Sequence, residues 1–252
     1  MGKIDAKMTR HLLVSFGACL ALTAAHSQDC ANFLFLQKDK TVEMTVYDKK
    51  GEPNGRQVYL VSNVATSGAA TTGTINSEIF DKKGNSKGKA NSTIVCNGGE
   101  MRIDMKLLLP PQESEQFGMN AEVNAQNSYL SYPVTMKVGD QLPDGNLTID
   151  MSHNGPSGPG GAPPAGGPPP PPGFAKSLTM VISNRKVEAQ ESVTTSAGTW
   201  NCFRISFKSK LTVKTGPIGF PVNMEGVEWY APGFGIVKSQ SKYGGTAITA
   251  IK

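Results

Sequence analysis

An all-β fold is predicted by three features of the 252-residue sequence. Short runs rich in β-branched and aromatic residues recur along the chain, and Gly, Pro, Asn and Asp punctuate them at the spacing of a meander. No segment carries the three-and-four apolar repeat of an amphipathic helix.

The expected strands run, in order, over 32–37, 41–48, 56–64, 74–81, 92–96 and 101–108. They continue over 121–125, 147–151, 178–183, 186–195, 199–207, 211–215, 225–230, 236–243 and 245–251. A single helical turn fits 111–116, where Pro110 and Pro111 can open it and Glu113 and Glu115 suit its N-terminus. One internal echo stands out: Val46-Tyr47-Asp48-Lys49-Lys50-Gly51 and Ile79-Phe80-Asp81-Lys82-Lys83-Gly84 share an apolar-aromatic-Asp-Lys-Lys-Gly pattern. Asp at the first turn position and Gly at the left-handed one predict two hairpin tips with a type I turn and a bulge.

Residues 1–27 read as a secretory signal peptide: Lys3, Lys7 and Arg10 precede an apolar run over 12–25, too short for a membrane span, and Ala25 and Ser27 suit a peptidase site. Cleavage after Ser27 leaves one expected domain over 28–252, with 22 basic against 19 acidic residues and a net charge of +3. The cysteines Cys19 and Cys30 both lie in poor contexts for lipid attachment. So small and scattered a charge excludes a nucleic-acid footprint, and no transmembrane segment is expected after the leader is removed. The expected location is outside the cytoplasm, with the periplasm favoured over secretion or the cell surface.

The even strand pattern breaks at 154–173, where nine Pro and seven Gly in twenty residues carry no charge. Such a stretch cannot build a core and is expected to be a disordered, partly polyproline insertion, placed between the strands at 147–151 and 178–183.

Cys30, Cys96 and Cys202 remain after the leader. Cys30 and Cys96 both fall at strand ends near surface turns, which favours a Cys30–Cys96 bridge, with Cys30–Cys202 and Cys96–Cys202 left open. Strand alternation places Cys202 with Arg204 and Ser206, away from Phe203, Ile205 and Phe207.

His153 is the only histidine after the leader and sits at the mouth of the Pro/Gly run. That is a poor place for a Ser-His or Cys-His relay, and a catalytic zinc site would lack a second histidine. The loop at 139–145 has acids in the first and fifth places of a calcium loop but Leu142 and Met151 where ligands are needed, so it reads as a tight turn. No catalytic residue, metal or cofactor is expected. A pair drawn from Glu43, Glu78, Glu122, Glu188, Glu191, Glu225 and Glu228 is the remaining route to hydrolysis.

With residues 184–188, 194–203 and 228–238 in view, above all Trp200-Asn201-Cys202-Phe203 and Glu228-Trp229-Tyr230-Ala231-Pro232-Gly233-Phe234-Gly235, the chain resembles the TapB-like family of exported bacterial proteins of unknown function. Shorter matches at 43–51, 77–84, 97–99 and 138–145 spread the resemblance over nearly the whole exported chain. It implies one large, curved antiparallel sheet, a partly open barrel or sandwich, interrupted by the Pro/Gly-rich insertion. The expected role is a non-catalytic envelope protein that binds a lipid-like or extended ligand or docks to an envelope partner. A carboxylate-dependent hydrolase and a purely structural surface protein are the alternatives. Trp200, Trp229, Tyr230 and Phe234 are expected to cluster in the core, and Trp200, Trp229 and Tyr230 are the candidate ligand contacts.

Overall fold

The alternating runs become thirteen strands in the computed structural model, which describes Cys30 and residues 33–108, 128–150, 176–215 and 218–252. They are β1 (Thr41–Tyr47), β2 (Pro53–Ser67), β3 (Ala70–Asp81), β4 (Ser86–Asn97), β5 (Glu100–Asp104), β6 (Tyr129–Pro133) and β7 (Gln141–Leu142). Then follow β8 (Gly145–Asp150), β9 (Lys176–Thr195), β10 (Gly198–Thr215), β11 (Ile218–Ala231), β12 (Gly235–Ser241) and β13 (Gly244–Ile251). All pairings are antiparallel, in the order β6-β5-β4-β3-β2-β1-β13-β12-β11-β10-β9-β7, with β8 also against β9. The sheet curls into a barrel that is nearly closed, with an unsealed seam. That seam lies where β6 meets β8 without a ladder.

Inward positions carry the core. Val42 and Met44, Tyr59 and Val61, Ile75 and Ile79, Met180 and Ile182, and Ile205 and Leu211 are buried at every second position, while Glu43, Glu78 and Arg56 alternate outward. Outside, Glu43–Arg56, Glu78–Lys89, Lys186–Glu188 and Lys208–Glu225 form ion pairs. This is the reverse of a lipid-facing barrel, whose outer band is apolar.

The first expected strand is a 3-10 turn instead, Leu34–Leu36. Phe33, Phe35 and Leu36 are all buried, and a turn, unlike a strand, can direct neighbouring side chains into one core. The turn closes one end of the barrel and lies against β2 and β3; the absence of a side chain at Gly73 admits the carbonyl of Phe35. Cys30 bridges to Cys96 on β4, as expected, and the 66-residue separation makes the bond worth about 4 kcal/mol.

Strand 101–108 likewise ends early. At Asp104 the carboxylate accepts the Lys106 amide at 3.0 Å, and the chain enters a 3-10 turn, Met105–Leu108. The short β6 and β7 were not expected, and expected elements over 111–116 and 121–125 lie outside the described residues, as do His153 and the Pro/Gly run.

Two long strands replace four expected short ones. β9 passes without a break through Asn184, whose φ of 52° is tolerated because Asn accepts the left-handed region. There Ser206 pairs with Lys186 and Lys208 with Ser183, so Asn184 and Arg185 together oppose Phe207 in a bulge. The bulge reverses the pleat: Met180 and Ile182 face inward above it, Arg185 and Val187 below it.

Cys202 is a correction. It is fully buried, although alternation sets it beside Arg204. β10 is covered on both faces at this point: Phe203 is buried on one, and on the other Cys202 lies beside half-buried Trp200, whose cross-strand neighbour is buried Val193.

The two echoed hairpins form as expected. Asp48 Oδ1 accepts the amides of Lys50 and Glu52 at 2.7 and 3.0 Å, and Gly51 has φ 80°. Asp81 Oδ1 does the same for Lys83 and Asn85 at 2.8 and 2.9 Å, with Gly84 at φ 83°.

Candidate functional site: the barrel interior

Between the Phe35 plug and the opposite rim the inward faces do not meet, and a cavity of about 1020 Å³ remains. Its wall is mainly apolar: Phe35, Met44, Tyr59, Ile94, Ile103, Leu107, Met180, Ile182, Leu211 and Ile236 contribute. Asp48, Lys49, Asp81, Lys82, Lys83 and Tyr243 line its mouth, so it opens where the β1–β2, β3–β4 and β12–β13 turns project. The volume lies at the top of the range for small-molecule sites.

Few polar groups interrupt this wall. Gln57, Ser209 and Glu228 line it and are buried, and the Ser209 hydroxyl has no hydrogen-bond partner.

Glu228 belongs to a buried cluster at the seam. Tyr132 donates its hydroxyl to Glu228 Oε1 at 2.9 Å, and Arg185 Nη2 reaches the same oxygen at 3.3 Å. Arg185 Nη1 donates to the carbonyls of Ser131 and Pro143, both at 3.0 Å, so the guanidinium joins β6 to the chain between β7 and β8 where no ladder runs. Its Cζ lies 4.6 Å from the Tyr132 ring centre, and Tyr132 stacks on Tyr230 at 4.3 Å. Burial raises the Tyr132 pKa well above its ordinary value, and the Glu228 charge adds to the rise. For Arg185, burial opposes the charge, but Tyr132 and Glu228 outweigh it and hold the pKa above the ordinary value.

The remaining carboxylates proposed for a catalytic pair are elsewhere. Glu43, Glu78, Glu188 and Glu225 are in the outer ion pairs, Glu188 also accepts from Ser206, and Glu191 accepts from the Trp229 indole. Glu122 lies outside the described residues. Of the described acids considered, Glu228 alone is buried against the cavity.

Trp200, Trp229 and Tyr230 do not come together, and none lines the cavity. Trp200 packs on Phe234 at 5.2 Å, and Phe234 on Phe35 at 6.2 Å, so Trp200 reaches the cavity wall through two rings. Trp229 lies under Lys238 at 4.7 Å, and Tyr230 is buried against Tyr132. The Arg185–Glu228–Tyr132 cluster was missed, because Asn184-Arg185, flanked by Ser183 and Lys186, reads as the gap between strands at 178–183 and 186–195.

Comparison with known proteins agrees with this architecture. The family described as DUF3108-like matches residues 37–158 and 173–246. The chain belongs to this family. The two matched stretches leave out 159–172, within the Pro/Gly run. Among solved structures, a Bacteroides fragilis protein described as an inferred exported protein with a YmcC-like fold is 20% identical, with a TM-score of 0.65 over 87% of this chain and 98% of that one. An inferred lipoprotein from Parabacteroides distasonis is 18% identical, with a TM-score of 0.66 over 87% of this chain and 99% of the other. At these identities the likeness is one of fold. No functionally curated protein matches the chain.

Proposed function

We propose that this DUF3108-like protein is an exported, non-catalytic carrier that holds an elongated apolar ligand, such as an acyl chain, in its barrel. One observation carries the reading: an apolar-walled cavity of about 1020 Å³, blind at the Phe35 plug and open at the turn-bearing rim. Burying a methylene is worth about 0.8 kcal/mol, so a dozen supply on the order of 10 kcal/mol before ordering costs. A polar cleft with two facing acids would have favoured hydrolysis; here Glu228 stands with Arg185 and Tyr132.

The leader expected at 1–27, the Cys30–Cys96 bridge and the resemblance at 184–188, 194–203 and 228–238 to the TapB-like family support an oxidising compartment, and the periplasm fits best. The reading is tested by native mass spectrometry of protein isolated from its own host. A retained lipid of several hundred daltons is expected, with Ile182→Trp, which narrows the cavity, reducing its occupancy. Equal ligand mass on both proteins, or a bare protein that takes up no added fatty acid, would overturn the reading.

A further inference from the structure

Beyond the cavity itself, the rim has a raised side. β12 pairs with β11 only from Gly226 to Ala231, and Tyr47 of β1 is level with Gly245. β10 and β11 continue together to the pair Thr215–Ile218. The eight residues from Ile218 to Glu225 therefore rise past the adjacent turn with one edge unpaired, by roughly 25 Å at about 3.3 Å per residue. Pro221 sits on this stretch, a residue that sheets confine to their edges.

The face this hairpin presents is unusual. Pairing sets Val222 opposite Leu211, Phe220 opposite Val213 and Ile218 opposite Thr215, all in the pleat that also carries Glu228 and Tyr230 inward. The cavity wall thus continues upward past Leu211, which is buried, into solvent, where Val222 is 40%, Ile218 58% and Phe220 62% exposed. Tyr243, on the next turn, is 51% exposed. These are four of the seven large apolar side chains exposed among the described residues, so the apolar surface is concentrated at this end.

The same end is basic. Lys49 and Lys50, Lys82 and Lys83, Lys210 and Lys214, and Lys242 are exposed on the turns and on the raised hairpin. Against them stand Asp48 and Asp81, whose Oδ1 atoms face the amides of their own turns, Glu52, and Glu225 at the base of the raised hairpin, which pairs with Lys208. Apolar tips ringed by lysines match the layered chemistry of an anionic lipid surface, phosphate outside and hydrocarbon within.

We infer that the cavity mouth docks on an anionic phospholipid bilayer, with Ile218, Phe220 and Val222 entering the headgroup boundary and the turn lysines meeting the phosphates. Docking in this pose sets the cavity mouth against the membrane.

Co-sedimentation of the exported chain with vesicles tests it. Binding is expected to vesicles of phosphatidylethanolamine and phosphatidylglycerol, to weaken about tenfold or more with salt or with Lys82→Glu/Lys83→Glu, and to be lost on phosphatidylcholine alone. Ile218→Ser/Phe220→Asp is expected to stay in the supernatant with its melting temperature unchanged, because both side chains are exposed. Equal pelleting of this variant and the wild type, or no binding to anionic vesicles, overturns the inference. So does a dimer on size-exclusion chromatography that Phe220→Asp separates, without vesicle binding, since the face would then cover a second copy. Ile182→Trp separates this inference from the carrier reading: it narrows the cavity and lowers ligand occupancy but is expected to leave vesicle binding intact.

Discussion

Charge and burial at single residues set reactivity and acid stability. Burial, with the nearby Glu191 charge, pushes the Cys202 thiol up to about 11, so it is a protonated, sequestered group at neutral pH. Iodoacetamide at pH 8 is expected to leave the native exported chain, 28–252, unmodified and, with the Cys30–Cys96 bridge intact, to add one label only after denaturation; a labelled native protein would contradict the burial. Asp48 is held below its ordinary range by the amides of Glu52 and Lys50, and Asp81 by the side chain and amide of Asn85. A carboxylate so lowered stabilises the fold above its ordinary pKa and loses that contribution as pH falls through the lowered value. Asp81→Ala should therefore lower the melting temperature at pH 7, and the gap to wild type should close toward pH 2. A gap that is unchanged or widens in acid would refute the turn assignment. These hairpins were legible because Asp and Gly act within six residues of chain. Cys202 was not, because its burial depends on Trp200 and on Val193 of the neighbouring strand.

Elements are joined at the seam by side chains in place of a ladder. Arg185 reaches Ser131 and Pro143, while Leu130 and Met105 crowd the space a side chain at Gly145 would need. Arg185→Met leaves Glu228 buried without its cation and is expected to cost about 3–5 kcal/mol, whereas Arg185→Met/Glu228→Met recovers much of the loss. A double variant as unstable as the single one, by urea unfolding, would show that the seam bonds and not the buried charge dominate. Gly145→Ala overpacks Leu130 and Met105 and should cost about 1–3 kcal/mol. β8 and β9 are already paired at Asp150 and Ser177, so replacing 156–172 by a short Gly-Ser turn is expected to leave the melting temperature within about 5 °C. The β8–β9 hairpin was expected from the apolar runs on either side of the Pro/Gly stretch. Arg185's role was hidden because it depends on a two-residue bulge set against Phe207, which period-two counting reads as a strand break.

For the molecule as a whole, alternation foretold the strands but not the space between them. Inward residues such as Met180 or Leu211 look alike in sequence whether they fill a core or line a cavity. Closing the sheet around the Phe35 plug leaves that space, and its position is set by strand order and length, which no local pattern encodes. Three methionines, Met44, Met180 and Met224, line the cavity, while Met101, Met105 and Met136 are buried elsewhere in the core. NMR of protein labelled at the methionine methyl carbons, titrated with a long-chain fatty acid, reads the cavity most directly. The carrier account predicts saturable shifts of Met44, Met180 and Met224 with the other three unmoved. Resonances that stay still, or that shift only at Met101, Met105 and Met136, would contradict it.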